Sequence, residues 1–150
     1  MARFRYRMQN ILELNEKLED QQKASFALAN AKLQEEQRIL QELMMKKAAY
    51  EQRVKDYASG MVDILEIQRC KEGVRVTDLL IRSQRTEIRK AQRLVDVERT
   101  KLNEARQARK TQEKLKEKAF DAFRKEMAAE ENKVTDELIS FKYGSNSPMR

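Results

Sequence analysis

The chain contains no histidine and no tryptophan, and only one cysteine, one proline and three glycines among 150 residues. Without histidine it lacks the commonest general base and the commonest metal ligand. A lone cysteine, Cys70, permits no intrachain disulfide, and its place on an apolar stripe reads as a small buried hydrophobe. Aromatics make up 6% and charged residues 38%, which leaves too little apolar volume for a globular core of this length or for an enzyme-sized cavity. There is no run of 18 apolar residues and no leader-type hydrophobic segment, because Arg3, Arg5 and Arg7 run directly into an amphipathic pattern. A soluble, cytoplasmic chain is expected. No glycine-rich phosphate loop of the GxxxxGK[ST] type occurs. The carboxylate pairs Glu35-Glu36 and Glu130-Glu131 sit among charged neighbours, and adjacent helical residues point about 100° apart, so both read as solvated face. No enzyme activity, cofactor or metal is expected.

What the chain does have is a heptad pattern of extreme length. Phe26, Ala29, Leu33, Leu40, Leu43, Tyr50, Val54, Tyr57 and Met61 recur on alternating steps of three and four, with Glu36 and Lys47 as interruptions. Upstream, Phe4, Met8, Ile11 and Leu18 follow the same rule, but joining them to Ala29 takes an eleven-residue step, a stutter that locally unwinds a supercoil. A second seam carries Ile67, Cys70, Val74, Ile81, Ile88, Ala91, Val95, Leu102 and Ala105, with polar Thr77, Gln84 and Glu98 between. Two seams of similar width, separated by a break at Ser59-Gly60, predict an all-α fold: a long two-helix antiparallel coiled-coil hairpin over residues 1–143, the second helix longer. The helices are expected at about residues 3–58 and 62–142, roughly 80 and 120 Å long from the helical rise. The turn falls at 59–62, where Gly60 can end the helix with a positive φ, and Gly144 to Pro148 opens a disordered tail over 144–150.

Folding about residue 62 sets the N-terminus opposite roughly residue 123, so the last turns overhang and leave Met127, Val134, Leu138 and Phe141 as an uncovered stripe. Near the turn, Val76 and Leu80 lie one helical turn apart and outside the seam residues Val74 and Ile81, an apolar pair that a partner would cover unless Met61 to Ile67 folds back over it. Gly73, inside the same pattern, suits a bend or a close contact. Net charge is +7, and residues 69–118 hold 16 Lys/Arg against 8 Asp/Glu. Arg82, Arg85, Arg89, Lys90 and Arg93 raise nucleic-acid binding as an alternative, against which stand the interleaved Glu87 and Asp96 and the absence of neighbouring aromatics. A generic structural tether is the second alternative. Membrane-surface binding by Phe4 to Leu18 is opposed by Glu13, Glu16, Glu19 and Asp20.

The opening FRYRMQNILEL (Phe4 to Leu14), the stretch KTQEKLKEKAFDAF (Lys110 to Phe123) and the closing TDELISFKY (Thr135 to Tyr143) resemble the ends of the flagellar export protein FliJ family, and the likeness extends to length, central break and two-helix plan. The resemblance implies an antiparallel coiled coil similar to the stalk that rotates inside ATP synthase, working in flagellar type III protein export and needed for motility. Its implied partners are the hexameric export ATPase, the cytoplasmic part of the transmembrane export gate and export chaperones, with the chain a monomer when isolated and peripherally associated with the inner face of the membrane at the flagellar base. With charge placement, the family likeness assigns Arg3, Arg5, Arg7, Lys110, Lys114 and Lys118 to the ATPase ring, in-helix pairing with Glu113 and Glu117 being the alternative for part of that charge. The export gate is assigned to Gly73, Val76, Leu80 and Gln84, where Gly73 and Thr77 depart from the family's bulkier residues.

Overall fold

The computed structural model describes residues 2–60 and 63–145. Two helices, α1 (Gln9–Ser59) and α2 (Ile64–Ser145), of 51 and 82 residues, form an antiparallel hairpin, and no strand occurs among the described residues. No described helix is long and apolar enough to cross a membrane. The contacts fall into two compact units, residues 20–104 and the paired ends, 1–19 with 105–150.

Within residues 20–104 the seam follows the expected register. Ala29 and Leu33 of α1 meet Ala91 and Val95 of α2, with Phe26 and Ile88 packed against them. Val95 is 1% exposed, and complete burial of a side chain of that size is worth about 1.5–3 kcal/mol. Polar residues in the seam find partners there. Gln84 donates to the Glu36 backbone carbonyl at 2.8 Å and to its carboxylate. Lys47 reaches Asp78 at 2.7 Å, and Gln22 donates to the Glu98 backbone and carboxylate. Buried Thr77 returns its hydroxyl to the Gly73 carbonyl, 2.7 Å away and one turn earlier. Each bond removes the desolvation cost that a lone polar group in a seam would carry.

At Gly73 a side chain of α1 lies close against the backbone of α2. A Cβ there would lie 2.8, 2.9 and 3.0 Å from three ring atoms of Tyr50, so the glycine seats the tyrosine ring. Gly60 works differently from expectation. No described glycine has a positive φ, and a Cβ at Gly60 would meet only the Asp56 carbonyl at 3.6 Å. The helix ends there through local bonding instead, the Ser59 hydroxyl donating to the Asp56 carbonyl at 3.1 Å. Met61 and Val62, the expected last seam residue and the turn, lie outside the described residues. α2 is started by Asp63, whose carboxylate accepts the backbone N–H groups of Leu65 and Glu66 at 3.1 and 3.3 Å, an N-cap with an acidic residue three places on.

The paired ends depart from the sequence reading at three points. α1 starts at Gln9 rather than near residue 3. A helix continued to that point would carry Arg5, seven residues before Leu12, into the seam and turn Phe4 aside. Leaving the helix lets the Phe4 ring pack on Phe120 and Phe123, with centroids 5.2 and 5.4 Å away. The expected stutter is absent. Leu12 is 3% and Glu19 4% exposed, whereas Met8, Ile11 and Leu18 face out, Ile11 at 42%. The seam keeps the heptad register of Ala29 and Leu33 back through Gln22, Glu19, Asn15 and Leu12, accepting polar residues because α2 answers them. Arg109 and Arg106 bind the Glu19 carboxylate, Asn15 donates to the Ala108 carbonyl at 3.5 Å, and Tyr6 donates to Gln112 at 2.8 Å. At the far end α2 continues through Gly144 and Ser145, two residues of the expected tail. Residues 146–150 lie outside the described residues.

Candidate functional site

Two surfaces carry the residues singled out from the sequence, one in each unit. In residues 20–104, the gate set divides. Gly73 and Gln84 are half-buried and engaged inside the hairpin, Gly73 beneath Tyr50 and Gln84 in its bonds to Glu36. They position the helices rather than present a surface. Val76 and Leu80 are 42% and 46% exposed, and Leu79 beside them, three residues after Val76, is similarly open, an apolar member of the patch that the sequence reading did not include. Sites 76, 79 and 80 form a continuous apolar patch on the outside of α2. For the described part of the alternative fold-back cover, Asp63 caps α2, so Ile64 to Ile67 belong to its first turn and do not lie over the patch; Met61 and Val62 lie outside the described residues.

In the paired ends, Arg3 and Arg5 line a cavity of about 500 Å³ together with Phe4, Tyr6, Gln9 and Lys116. Lys116 is the cation that the structure brings to them, and it was missed because it occupies a seam position, where a charge is not sought. Lys110, Lys114 and Lys118 follow at steps of four along the exposed side of α2, away from the half-buried row Arg109, Gln112, Lys116 and Ala119. They therefore do not line that cavity. Among the described residues neither Glu113 nor Glu117, the in-helix alternative, forms an ion pair with these lysines, and Glu113 binds Arg109 at 2.9 Å. Arg109, between Glu19 and Glu113, is held above its ordinary pKa, chiefly by the hydrogen bond to Glu19, and stays charged.

Beyond Met127 no described residue covers α2. Every described residue from 128 to 144 is exposed, with Val134, Leu138 and Phe141 on one stripe and Phe141 76% exposed. An apolar stripe of this length in water marks a contact surface. Between Glu126 and Lys142 it is flanked by five carboxylates and two lysines, so the uncovered stretch is acidic while the preceding part of α2 is basic. Among the described residues no group of His, Cys, Asp or Glu is arranged to hold a metal ion. The arrangement suits binding by helical surfaces.

Residues 4–147 match the family model described as FliJ, flagellar FliJ protein. No curated protein and no solved structure matches the chain.

Proposed function

The chain belongs to the flagellar FliJ family, whose members are components of the flagellar export apparatus, and on that premise we propose that it is the stalk of that apparatus, joining the export ATPase ring to the export gate and escorting export chaperones. The observation that carries this reading is the asymmetry of the paired ends: α2 runs past the Phe4, Phe120 and Phe123 cluster and presents its uncovered stripe from Val134 to Phe141, while the cations Arg3, Arg5, Arg7, Lys110, Lys114 and Lys118 precede the stripe in the same unit. A single helix projecting from a clamped pair can enter a narrow axial opening that the two-helix body cannot, and cations at its base complement an acidic rim. At the other unit, the patch of Val76, Leu79 and Leu80 supports the gate contact, with Gly73 and Gln84 acting through the packing beneath it. The chain would then act at the inner face of the membrane through its partners.

The test is ATP hydrolysis by the purified flagellar export ATPase. Wild-type chain should raise the rate, and R5E/R7E/K114E should abolish the increase while leaving far-UV dichroism unchanged. Normal stimulation by that triple variant would overturn the ring assignment. For the gate contact, V76S/L80S should weaken binding to the gate's cytoplasmic domain and reduce swarming without loss of helicity, and wild-type values for both would remove it. Scrambling Lys110 to Phe123 with the apolar spacing preserved separates this reading from a plain tether, which would tolerate the change.

A further inference from the structure

The two long edges of the hairpin in residues 20–104 differ in character. One edge carries Val76 and Leu80, and there Lys32 feels Glu87 across the pair. The other edge is the row Asn30, Gln34, Gln37, Gln41, Met44 and Ala48 on α1, none of them a carboxylate, and on α2 the row Arg82, Arg85 and Arg89 between Asp78 and Asp96. These three arginines are exposed and stand within two turns on one side of α2. Several other arginines of α1 and α2 take a carboxylate three or four residues away, Arg38 with Glu35, Arg69 with Glu66, Arg75 with Glu72 and Arg124 with Asp121, whereas among the described residues Arg53 and Arg93 form no such ion pair. Among the described residues Arg82, Arg85 and Arg89 have no such partner, and Arg89 bonds only the Thr86 hydroxyl, at 3.0 Å. The carboxylates that share a cavity with Arg82 and Arg85, Asp78 and Glu51, both meet Lys47, at 2.7 and 3.9 Å, and Arg85 adds a second positive charge facing Lys47.

Beside Arg82 and Arg85 is an apolar floor. Met44, Ala48 and Ile81 line a cavity of about 490 Å³ with Lys47, Arg82, Arg85 and the carboxylates Glu51 and Asp78, and a neighbouring one of about 340 Å³, lined also by Gln37 and Gln41, adds Leu40 and Met45; Arg89 lies further along the same edge. Methionine is the most deformable apolar side chain and suits surfaces that mould to a partner. Arginine forks grip carboxylates through paired hydrogen bonds. A methionine-floored groove rimmed by unanswered guanidinium groups and glutamine amides matches a helix with an apolar stripe flanked by carboxylates. The edge offers no aromatic face on which a base would stack.

We propose that the Arg82, Arg85 and Arg89 edge, with its Met44 and Met45 floor, is a docking site for an acidic amphipathic helix of a partner protein. This surface is separate from the Val76 and Leu80 patch, and the proposal stands or falls independently of the ring and gate assignments.

The test uses the full chain and fluorescence anisotropy with three labelled probes: a helix-forming peptide with leucine at its a and d positions and glutamate at the flanks, the same peptide with lysine for glutamate, and a single-stranded thymine oligonucleotide. The acidic peptide should bind and the lysine peptide should not. R82E/R85E/R89E should weaken the acidic peptide at least about tenfold. R3E/R5E/R7E, which lowers the net charge of +7 by the same six units, should change it by less than about twofold. M44S/M45S should weaken it about threefold or more. If dichroism shows the glutamate triple variant to be unfolded, R82Q/R85Q/R89Q takes its place with the same expected loss. Equal losses in both triple variants would reduce the effect to net charge, and undiminished binding by R82E/R85E/R89E would remove the site. Oligonucleotide binding that is tighter than peptide binding and lost in that variant would assign the edge to nucleic acid and overturn the proposal. So would a self-associated species in sedimentation velocity that R82E/R85E/R89E dissociates, which would make a second copy the occupant.

Discussion

Replacing Gly73 with alanine sets two effects of opposite sign against each other. In a helix interior the change should stabilise by about 1 kcal/mol, because alanine loses less backbone entropy on folding. Here the new methyl group would sit 2.8–3.0 Å from three atoms of the Tyr50 ring, closer than carbon atoms tolerate. Overpacking of this kind costs about 1–3 kcal/mol as the ring is forced aside. The net expectation for G73A is a loss of about 0–2 kcal/mol, which for a chain of this size lowers the melting midpoint by about 2–4 °C per kcal/mol. The informative measurement is a double-mutant cycle with Y50A, followed by urea denaturation and far-UV dichroism. Y50A alone should destabilise, since it empties half-buried volume in the seam. In that background the obstruction is gone and only the helix preference remains, so G73A should now stabilise by about 1 kcal/mol. The sign reversal amounts to a coupling of about 1–3 kcal/mol between the two sites. If G73A stabilised equally in both backgrounds, Tyr50 would not be seated on Gly73, and the glycine would again be available as a surface element of the gate contact.

Three further outcomes test the paired ends and the polar seam. L12A should cost about 2–3 kcal/mol and I11A less than about 1, by urea midpoint, because Leu12 is in the seam and Ile11 faces water; the reverse order would restore the stutter. E19A should cost about 1–2 kcal/mol, below the full penalty for breaking a buried pair because Arg109 can turn toward solvent, while E19L/R109L should return to within about 1 kcal/mol of wild type or exceed it; a double variant worse than E19A would show that the ion pair itself holds the end together. Glu36 is kept below the ordinary carboxylate value of 4.5, first by the Gln84 amide and then by the Lys32 ammonium. A depressed folded value means that its stabilisation is fully present above the unfolded value and is lost as pH falls through the folded one, so wild type should lose stability between about pH 5 and 3 more steeply than E36Q. Parallel acid profiles for the two proteins would refute that assignment.

Much of this molecule is determined locally and is therefore legible in the sequence. The spacing of Phe26, Ala29 and Leu33 against Ala91 and Val95, the break at Ser59-Gly60, the antiparallel pairing, the longer second helix and the uncovered stripe from Val134 to Phe141 all follow from helical periodicity and chain length, since a heptad stripe must be buried and a short turn allows only one way to bury it. Tertiary structure decided what depends on the opposite helix. Near the N-terminus two registers compete, Ile11 with Leu18 or Leu12 with Glu19, and by apolarity alone the first wins. The second is adopted because Arg109 and Arg106 stand across from Glu19, and their bonds remove the cost of placing a carboxylate in the seam. The same dependence hid Lys116 beside Arg3 and Arg5, drew Phe4 out of the helix onto Phe120 and Phe123, and turned Gly73 and Gln84 from candidate surface into packing under Tyr50 and Glu36. Period and hydropathy are properties of one strand of sequence, whereas the cost of a polar or missing side chain in a seam is set by what faces it from residues 23 to 106 positions away.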